Sequence, residues 1–232
     1  MTITLQIEDP NGYFIPNIHP DNFAVYEGGV RQKLVSAEVQ HAPVSIVLLL
    51  EEDGRYHELN EVLGVEIPQA SEALLNVLGH RDRLAVFTYS GQVKMLAGFG
   101  ENRGDLSDVF EQLGTPEFSE ANLYDAILGT LNFMRDVRGR KAIILISSGL
   151  DTFSKTTYEQ VLQAAEQDRT PIYIIGLSEM MRGQAFIYGS AAPYAHMNWN
   201  EAERRLEHLA TASGGRICPD QTLNFPPCMA TS

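Results

Sequence analysis

The feature that most limits what this chain can become is an alternation of short apolar runs with segments of helical hydrophobic spacing. Val44-Ser45-Ile46-Val47-Leu48-Leu49-Leu50 is nearly continuous in aliphatic side chains, and Leu84 to Thr88, Ala142 to Ile146 and Ile172 to Ile175 repeat the pattern. A strand apolar on both faces has to be covered on both faces, as in a parallel sheet flanked by helices. Around these runs, apolar residues recur three or four apart: Ile67, Ala70, Leu74, Val77 and Leu78; Leu123, Ile127, Leu131 and Met134; Tyr158, Val161, Leu162 and Ala165; and Ala202, Leu206 and Leu209, with Ser213 on the same face. That spacing predicts amphipathic helices laid on the sheet. The chain from Pro43 onward is therefore read as an α/β, Rossmann-like, doubly wound and mostly parallel sheet. Tyr89-Ser90-Gly91-Gln92 turns the chain into Val93 to Leu96, which adds one antiparallel edge strand. Gly214-Gly215 ends the last helix, and Arg216-Ile217-Cys218 forms a short final strand.

Residues 1–42 follow a different grammar. Thr2 to Ile7 alternates polar and apolar, Asp9-Pro10-Asn11-Gly12 is a turn, and Phe23, Val25 and Val30 to Val39 flank the glycine pair Gly28-Gly29. This predicts a small β hairpin unit, too short for a core of its own and packed on the main domain of 43–232. Between Ser178 and Asn198, Phe186, Tyr188 and Tyr194 occur without clear period, which predicts a long loop and a second candidate contact surface.

Charge and composition exclude several classes. Thirty acidic against seventeen basic side chains give a formal charge of −13, so nucleic acid and anionic membrane surfaces would be approached against repulsion. The aliphatic run Ile46 to Leu50 is far short of the roughly 20 apolar residues needed to span a bilayer. Met1 leads straight into alternating sequence with no basic n-region or apolar h-region, so no signal peptide is expected here. The two cysteines, Cys218 and Cys228, supply neither a disulfide framework nor a zinc site; a single disulfide and two free thiols both remain open.

The element order, together with Leu49-Leu50-Glu51-Glu52-Asp53-Gly54, Asn122-Leu123-Tyr124-Asp125-Ala126-Ile127 and Ile144-Leu145-Ile146-Ser147-Ser148-Gly149-Leu150-Asp151, resembles a von Willebrand factor type A (VWA) domain. The lead-in Asn22-Phe23-Ala24-Val25-Tyr26-Glu27-Gly28-Gly29 is similar to that of a bacterial, acidobacterial-type group of VWA proteins. The resemblance implies a protein-binding module of adhesion type, exported in similar bacterial proteins, whose metal-ion-dependent adhesion site usually holds Mg²⁺. Its pattern is DxSxS after the first strand, a Thr in a second loop and an Asp after a later strand. Aligned on the strand end, this chain carries Glu51, Asp53 and Arg55 for DxSxS, Ala121 followed by Asn122 at the Thr, and Ser148 at the late Asp. Two hydroxyls are gone and a guanidinium, which cannot ligate, stands in the first loop. The expectation is a degenerate site with no metal or other cofactor, Mg²⁺ being disfavoured. A partner protein is then bound directly by Glu51, Asp53, Arg55, Tyr56, Asn122, Ser148 and Asp151, with Arg55 and Tyr56 as interface anchors.

Three alternatives stand beside that reading: an atypical divalent site through Glu51, Asp53 and Asp151, a structural subunit of a larger assembly, and a hydrolase. Self-association is a further outcome if the tail leaves one sheet face bare. Enzymatic signals are weak. Gly98-Phe99-Gly100-Glu101-Asn102-Arg103-Gly104 is one residue too long for a GxGxxG loop and reads as an edge loop, and His57-Glu58-Leu59-Asn60-Glu61 lacks the second His of a zinc helix. No His or acid is placed by the sequence to activate Ser147 or Ser148, so the chain is expected not to be an enzyme. Asp125 is read as a charge at a helix start, facing the positive dipole end.

Overall fold

The structure, a computed structural model, describes residues 18–34, 43–52, 72–76, 78–111, 120–178 and 197–218. Hairpin strands β1 (Val25–Glu27) and β2 (Val30–Gln32) pair antiparallel around Gly28-Gly29, with Tyr26 and Val30 exposed. β3 (Val44–Glu51), β4 (Arg83–Tyr89), β5 (Val93–Ala97), β6 (Arg140–Ser147), β7 (Ile172–Gly176) and β8 (Ile217–Cys218) build one six-stranded sheet. Its order is β5-β4-β3-β6-β7-β8, parallel throughout except for β5, which runs antiparallel to β4 at one margin.

Period-two alternation sorts each strand between two cores. Ile46, Leu48, Leu50, Leu84, Val86, Ile144 and Ile146 face one side, where Leu74, Leu75 and Leu78 from the helical stretch 72–76 and its exit meet Leu106 and Phe110 of α1 (Arg103–Glu111). Val47, Leu49, Ala85, Phe87, Ile143 and Leu145 face the other. There they meet Ile127 and Leu131 of α2 (Leu123–Met134), Val161 and Ala165 of α3 (Tyr158–Asp168), and Leu206 and Leu209 of α4 (Trp199–Ser213). The doubly wound sheet expected from the apolar runs is the fold found.

One helix departs from the expectation. The glycine stretch read as an edge loop gives way at Arg103 to α1. The Asn102 side chain accepts from the backbone N–H of Gly104 at 2.9 Å and of Asp105 at 3.1 Å, which satisfies the first donors of the helix and starts it. Leu106 and Phe110, four apart, then seat it on the core.

Two helix ends show local sequence acting directly. Thr157 caps α3 in a reciprocal box: its hydroxyl accepts from Gln160 N–H at 3.3 Å, and the Gln160 side chain accepts from Thr157 N–H at 2.8 Å. Thr157→Ala is expected to lower stability by about 1 kcal/mol, measured as a shift in urea midpoint at unchanged slope. Helix α4 ends on Gly214 at φ +83°, the left-handed position that glycine takes without strain.

Candidate functional site

Three apolar strands end in polar residues at the same edge of the sheet: β3 in Glu51, β4 in Tyr89 and β6 in Ser147. The parallel register places Glu51 opposite Tyr89 and, one step beyond the pair Leu50 and Ile146, level with Ser147, so Glu51, Tyr89 and Ser147 share one face. After β3 the chain adds β4 and β5 on one side, then returns to the other side for β6. The carboxyl ends of β3 and β6 thus form the switch point where open α/β sheets leave a crevice.

That crevice is filled by a carboxylate. Glu51 is 2% exposed, Tyr89 1%, and Ser147 and Ser148 0%. Glu51 Oε2 accepts from Ser148 N–H at 2.6 Å, Ser147 Oγ at 3.0 Å and Tyr89 OH at 3.1 Å, while Oε1 accepts from Ser148 Oγ at 2.8 Å. Tyr89 OH and Ser147 Oγ lie 2.8 Å apart, so two hydroxyl protons serve the three edges of a triangle. A carboxyl group is tolerated in such burial because donors replace the water it gave up. The network runs on into the following loop: Gly149 N–H donates to Ser147 Oγ at 2.9 Å and Leu150 N–H to Ser148 Oγ at 3.2 Å. Gly149 sits at φ +80°, where an added Cβ would lie 2.8 Å from Leu206 Cδ1, so α4 packs directly onto this loop.

A second group clasps the same loop to the start of α2. Asn122 precedes that helix but does not cap it; its N–H and Nδ2 donate instead to Ser90 and Gly91 carbonyls in the β4–β5 turn, at 2.8 and 3.0 Å. The first donors of α2 are satisfied from across the fold: Tyr124 N–H donates to Asp151 Oδ1 at 3.1 Å and Asp125 N–H to Ser154 Oγ at 3.2 Å. Ser154 Oγ also donates to Asp151 Oδ1 at 2.5 Å. In return Asp125 accepts from Lys155 N–H at 3.0 Å and Thr156 N–H at 2.9 Å. Burial raises the Asp125 pKa, but the hydrogen bonds from Thr156 and Lys155 outweigh it and hold the carboxyl below its ordinary value. Asp125 is thus more than a charge at a helix start; it anchors a loop. Thr152 completes the clasp, donating through N–H and Oγ1 to Ala121 O at 2.8 and 3.0 Å. At the tip, Phe153 is 68% exposed.

Behind the clasp, Arg205 of α4 joins the helices. It donates to Tyr124 OH at 2.9 Å and Glu201 Oε1 at 2.7 Å, and its guanidinium lies 5.1 Å from the centre of the Tyr158 ring. Burial pushes the Tyr124 phenol up, partly offset by Arg205, and the bond to Tyr124 raises Arg205 in turn.

Of the residues selected from sequence, Glu51 and Ser148 meet in the buried network, Asp151 faces the α2 start, and Asn122 ties to the β4–β5 turn. Asp53, Arg55, Tyr56, Phe186, Tyr188, Tyr194 and Cys228 lie outside the described residues. Tyr89, Ser147, Asp125 and Phe153 were missed. The readable signal was that three successive apolar runs each end in a hydrogen-bonding residue. The sequence places no acid to activate Ser147 or Ser148, and the fold brings Glu51 against both hydroxyls as an acceptor. The parallel pairing of β3 with β6 brings together residues 96 and 97 positions apart, which spacing along the chain could not show. A metal of the kind the resemblance implies does not fit the described part of this cluster: both oxygens of its one carboxylate already accept hydrogen bonds, and Ser148 stands where the resemblance puts a second acid.

The fold is a doubly wound α/β domain with this polar cluster at its switch point. Over residues 62–215 the chain matches the von Willebrand factor type A domain model, and it belongs to that family. VWA domains are modules that generally mediate protein–protein interaction and adhesion and are generally non-enzymatic. The structure is similar to that of an aerotolerance-related membrane protein from Bacteroides fragilis NCTC 9343 carrying multiple mutations to serines. The match has 14% identity and a TM-score of 0.55, and covers 78% of this chain and 93% of that one. It also resembles conserved hypothetical protein BatB from Bacteroides thetaiotaomicron (14% identity, TM-score 0.44, 57% of this chain and 66% of that one). A third likeness is proximal thread matrix protein 1 from the mussel byssus (13% identity, TM-score 0.49, 58% of this chain and 38% of that one). No curated protein matches the chain. Among the described residues no helix is long and apolar enough to cross a membrane.

Proposed function

We propose that this domain binds a partner protein directly, without a metal ion, through the loops at the carboxyl ends of β3 and β6 and the start of α2. The observation that carries the reading is the Glu51 carboxylate, whose two oxygens are engaged by Ser147, Ser148 and Tyr89 at the place where the family's first metal-binding Asp stands. Asp151 and Asn122 rim this face, and Phe153 and Lys155 project from it as a ring and a cation on a loop held by two carboxylates. A pre-ordered loop loses little entropy on binding, and an exposed aromatic is an efficient anchor. Arg55 and Tyr56, which follow β3 in the chain, are proposed as further contacts with the partner. Hydrolysis is disfavoured because the hydroxyls set against Glu51, those of Ser147, Ser148 and Tyr89, are sealed from any substrate.

Calorimetric titration with Mg²⁺, Mn²⁺ and Ca²⁺ is expected to show no saturable heat, and proteins captured on the immobilised domain to stay bound in chelator. Capture is expected to weaken at least about tenfold when Phe153 and Arg55 are both replaced by alanine. Saturable metal binding at millimolar concentration or tighter overturns the metal-free reading, and capture indifferent to that double replacement overturns the assigned surface.

A further inference from the structure

We infer that Glu51 is a positioning residue for the 148–157 loop, holding its first turn in place through hydrogen bonds to one buried carboxylate. The inference rests on the reading of that loop as the partner surface. One carboxylate gathers the end of β4 through Tyr89, the end of β6 through Ser147, and the first loop residue through both the N–H and the hydroxyl of Ser148. The two serine hydroxyls then hold the next two amides, Gly149 and Leu150. Three consecutive N–H groups are thus fixed, directly or at one remove, by a single side chain. The chain leaves Leu150 already aimed: Asp151 follows at once to receive Tyr124 N–H, and Thr152 N–H reaches Ala121 O. Lys155 and Thr156 close the clasp on Asp125. An anion at the centre requires donors around it, and the chain supplies hydroxyls at Ser147, Ser148 and Tyr89. A cation there would require the acidic and hydroxyl pattern that this sequence lacks at Arg55 and Ser148.

The test is native-state amide exchange on the full chain, comparing Glu51→Gln with the unaltered protein and requiring neither partner nor metal. Glutamine keeps the shape, but one of its two terminal atoms becomes a donor facing donors. Exchange at Ser148 and Leu150 is expected to accelerate, and with it exchange at Thr152, Lys155 and Thr156, at least about tenfold more than at Leu48 and Ile144 in the sheet. Acceleration at Ser148 and Leu150 with Thr152, Lys155 and Thr156 unchanged would overturn the inference, since Glu51 would then serve only its immediate neighbours. Acceleration everywhere in step with Leu48 and Ile144 would overturn it too, as a loss of overall stability. Should Glu51→Gln not fold, Ser148→Ala, which keeps the carboxylate and removes one hydroxyl, is read by the same criteria. Failure here leaves the partner surface standing, and failure of capture leaves the positioning role standing.

Discussion

Replacing Glu51 with leucine is expected to lower the unfolding free energy by about 3–5 kcal/mol, the range for leaving several buried polar groups unsatisfied at once. For a domain of this size that is roughly a 6–20 °C fall in melting temperature. The cause is not the loss of an attraction but what is left behind. Ser148 N–H, Ser148 Oγ, Ser147 Oγ and Tyr89 OH all meet at the carboxylate in a cluster at most 2% exposed. Ser147 Oγ and Tyr89 OH, 2.8 Å apart, still have each other, whereas Ser148 loses the acceptor of both its N–H and its hydroxyl. Combining the change with Tyr89→Phe and Ser148→Ala is expected to recover part of the loss, because removing both sides of a buried polar contact costs less than removing one. The Ser148 N–H cannot be removed this way, so recovery stays incomplete. Thermal or urea unfolding of the single and triple variants measures both effects. A single variant as stable as the unaltered protein would mean that Glu51 is not the hub of this cluster.

The second large effect is expected at Gly215. A Cβ there would lie 2.6 Å from the Ile172 carbonyl carbon and 2.7 Å from its nitrogen, and closer still to its oxygen. Backbone, not a flexible side chain, is in the way, so β7 or the chain leading into β8 must shift. That strains Ile172 N–H donating to Ser213 Oγ at 3.0 Å and Ile174 N–H donating to Arg216 O at 3.0 Å. Gly215→Ala is expected to cost about 3 kcal/mol or more by overpacking. Gly214→Ala, where the difficulty is only a positive φ with open space for the methyl group, should cost about 1–2 kcal/mol. Denaturant melts of the pair check the order; equal losses would show that the close approach to Ile172 is not what fixes glycine at 215.

The sheet was legible because its strands are buried on both faces, and continuous aliphatic runs such as Val44 to Leu50 have few other uses. Helices α2, α3 and α4 were legible from their apolar faces. Helix α1 was not, because its glycine-rich approach hid a start signal of only one side chain, Asn102, and two anchors, Leu106 and Phe110. At the candidate site the sequence marked Glu51 and Ser148 as departures from a family pattern, but not that the two answer each other. Their contact spans 97 residues and depends on β3 and β6 being neighbours in register. Asp151 as the cap of α2 was likewise hidden, since a helix start is normally sought in the residue just before it, and Asn122 there points elsewhere.

The position of β3 between β4 and β6 also sets a schedule for synthesis. β3, β4 and β5 lie within residues 44–97, whereas the residue that closes the far edge of β3 at Val44 is Arg140. At about 5–20 residues per second, a ribosome leaves that aliphatic edge unpaired for on the order of 5–20 s after it emerges. Once β5 has emerged, the nascent chain is a three-stranded fragment with β3 as an open edge, and there it is most exposed to mispairing. Chaperone binding to arrested nascent chains should therefore peak for lengths that release β3 but not β6, and fall once Ser147 has cleared the exit tunnel.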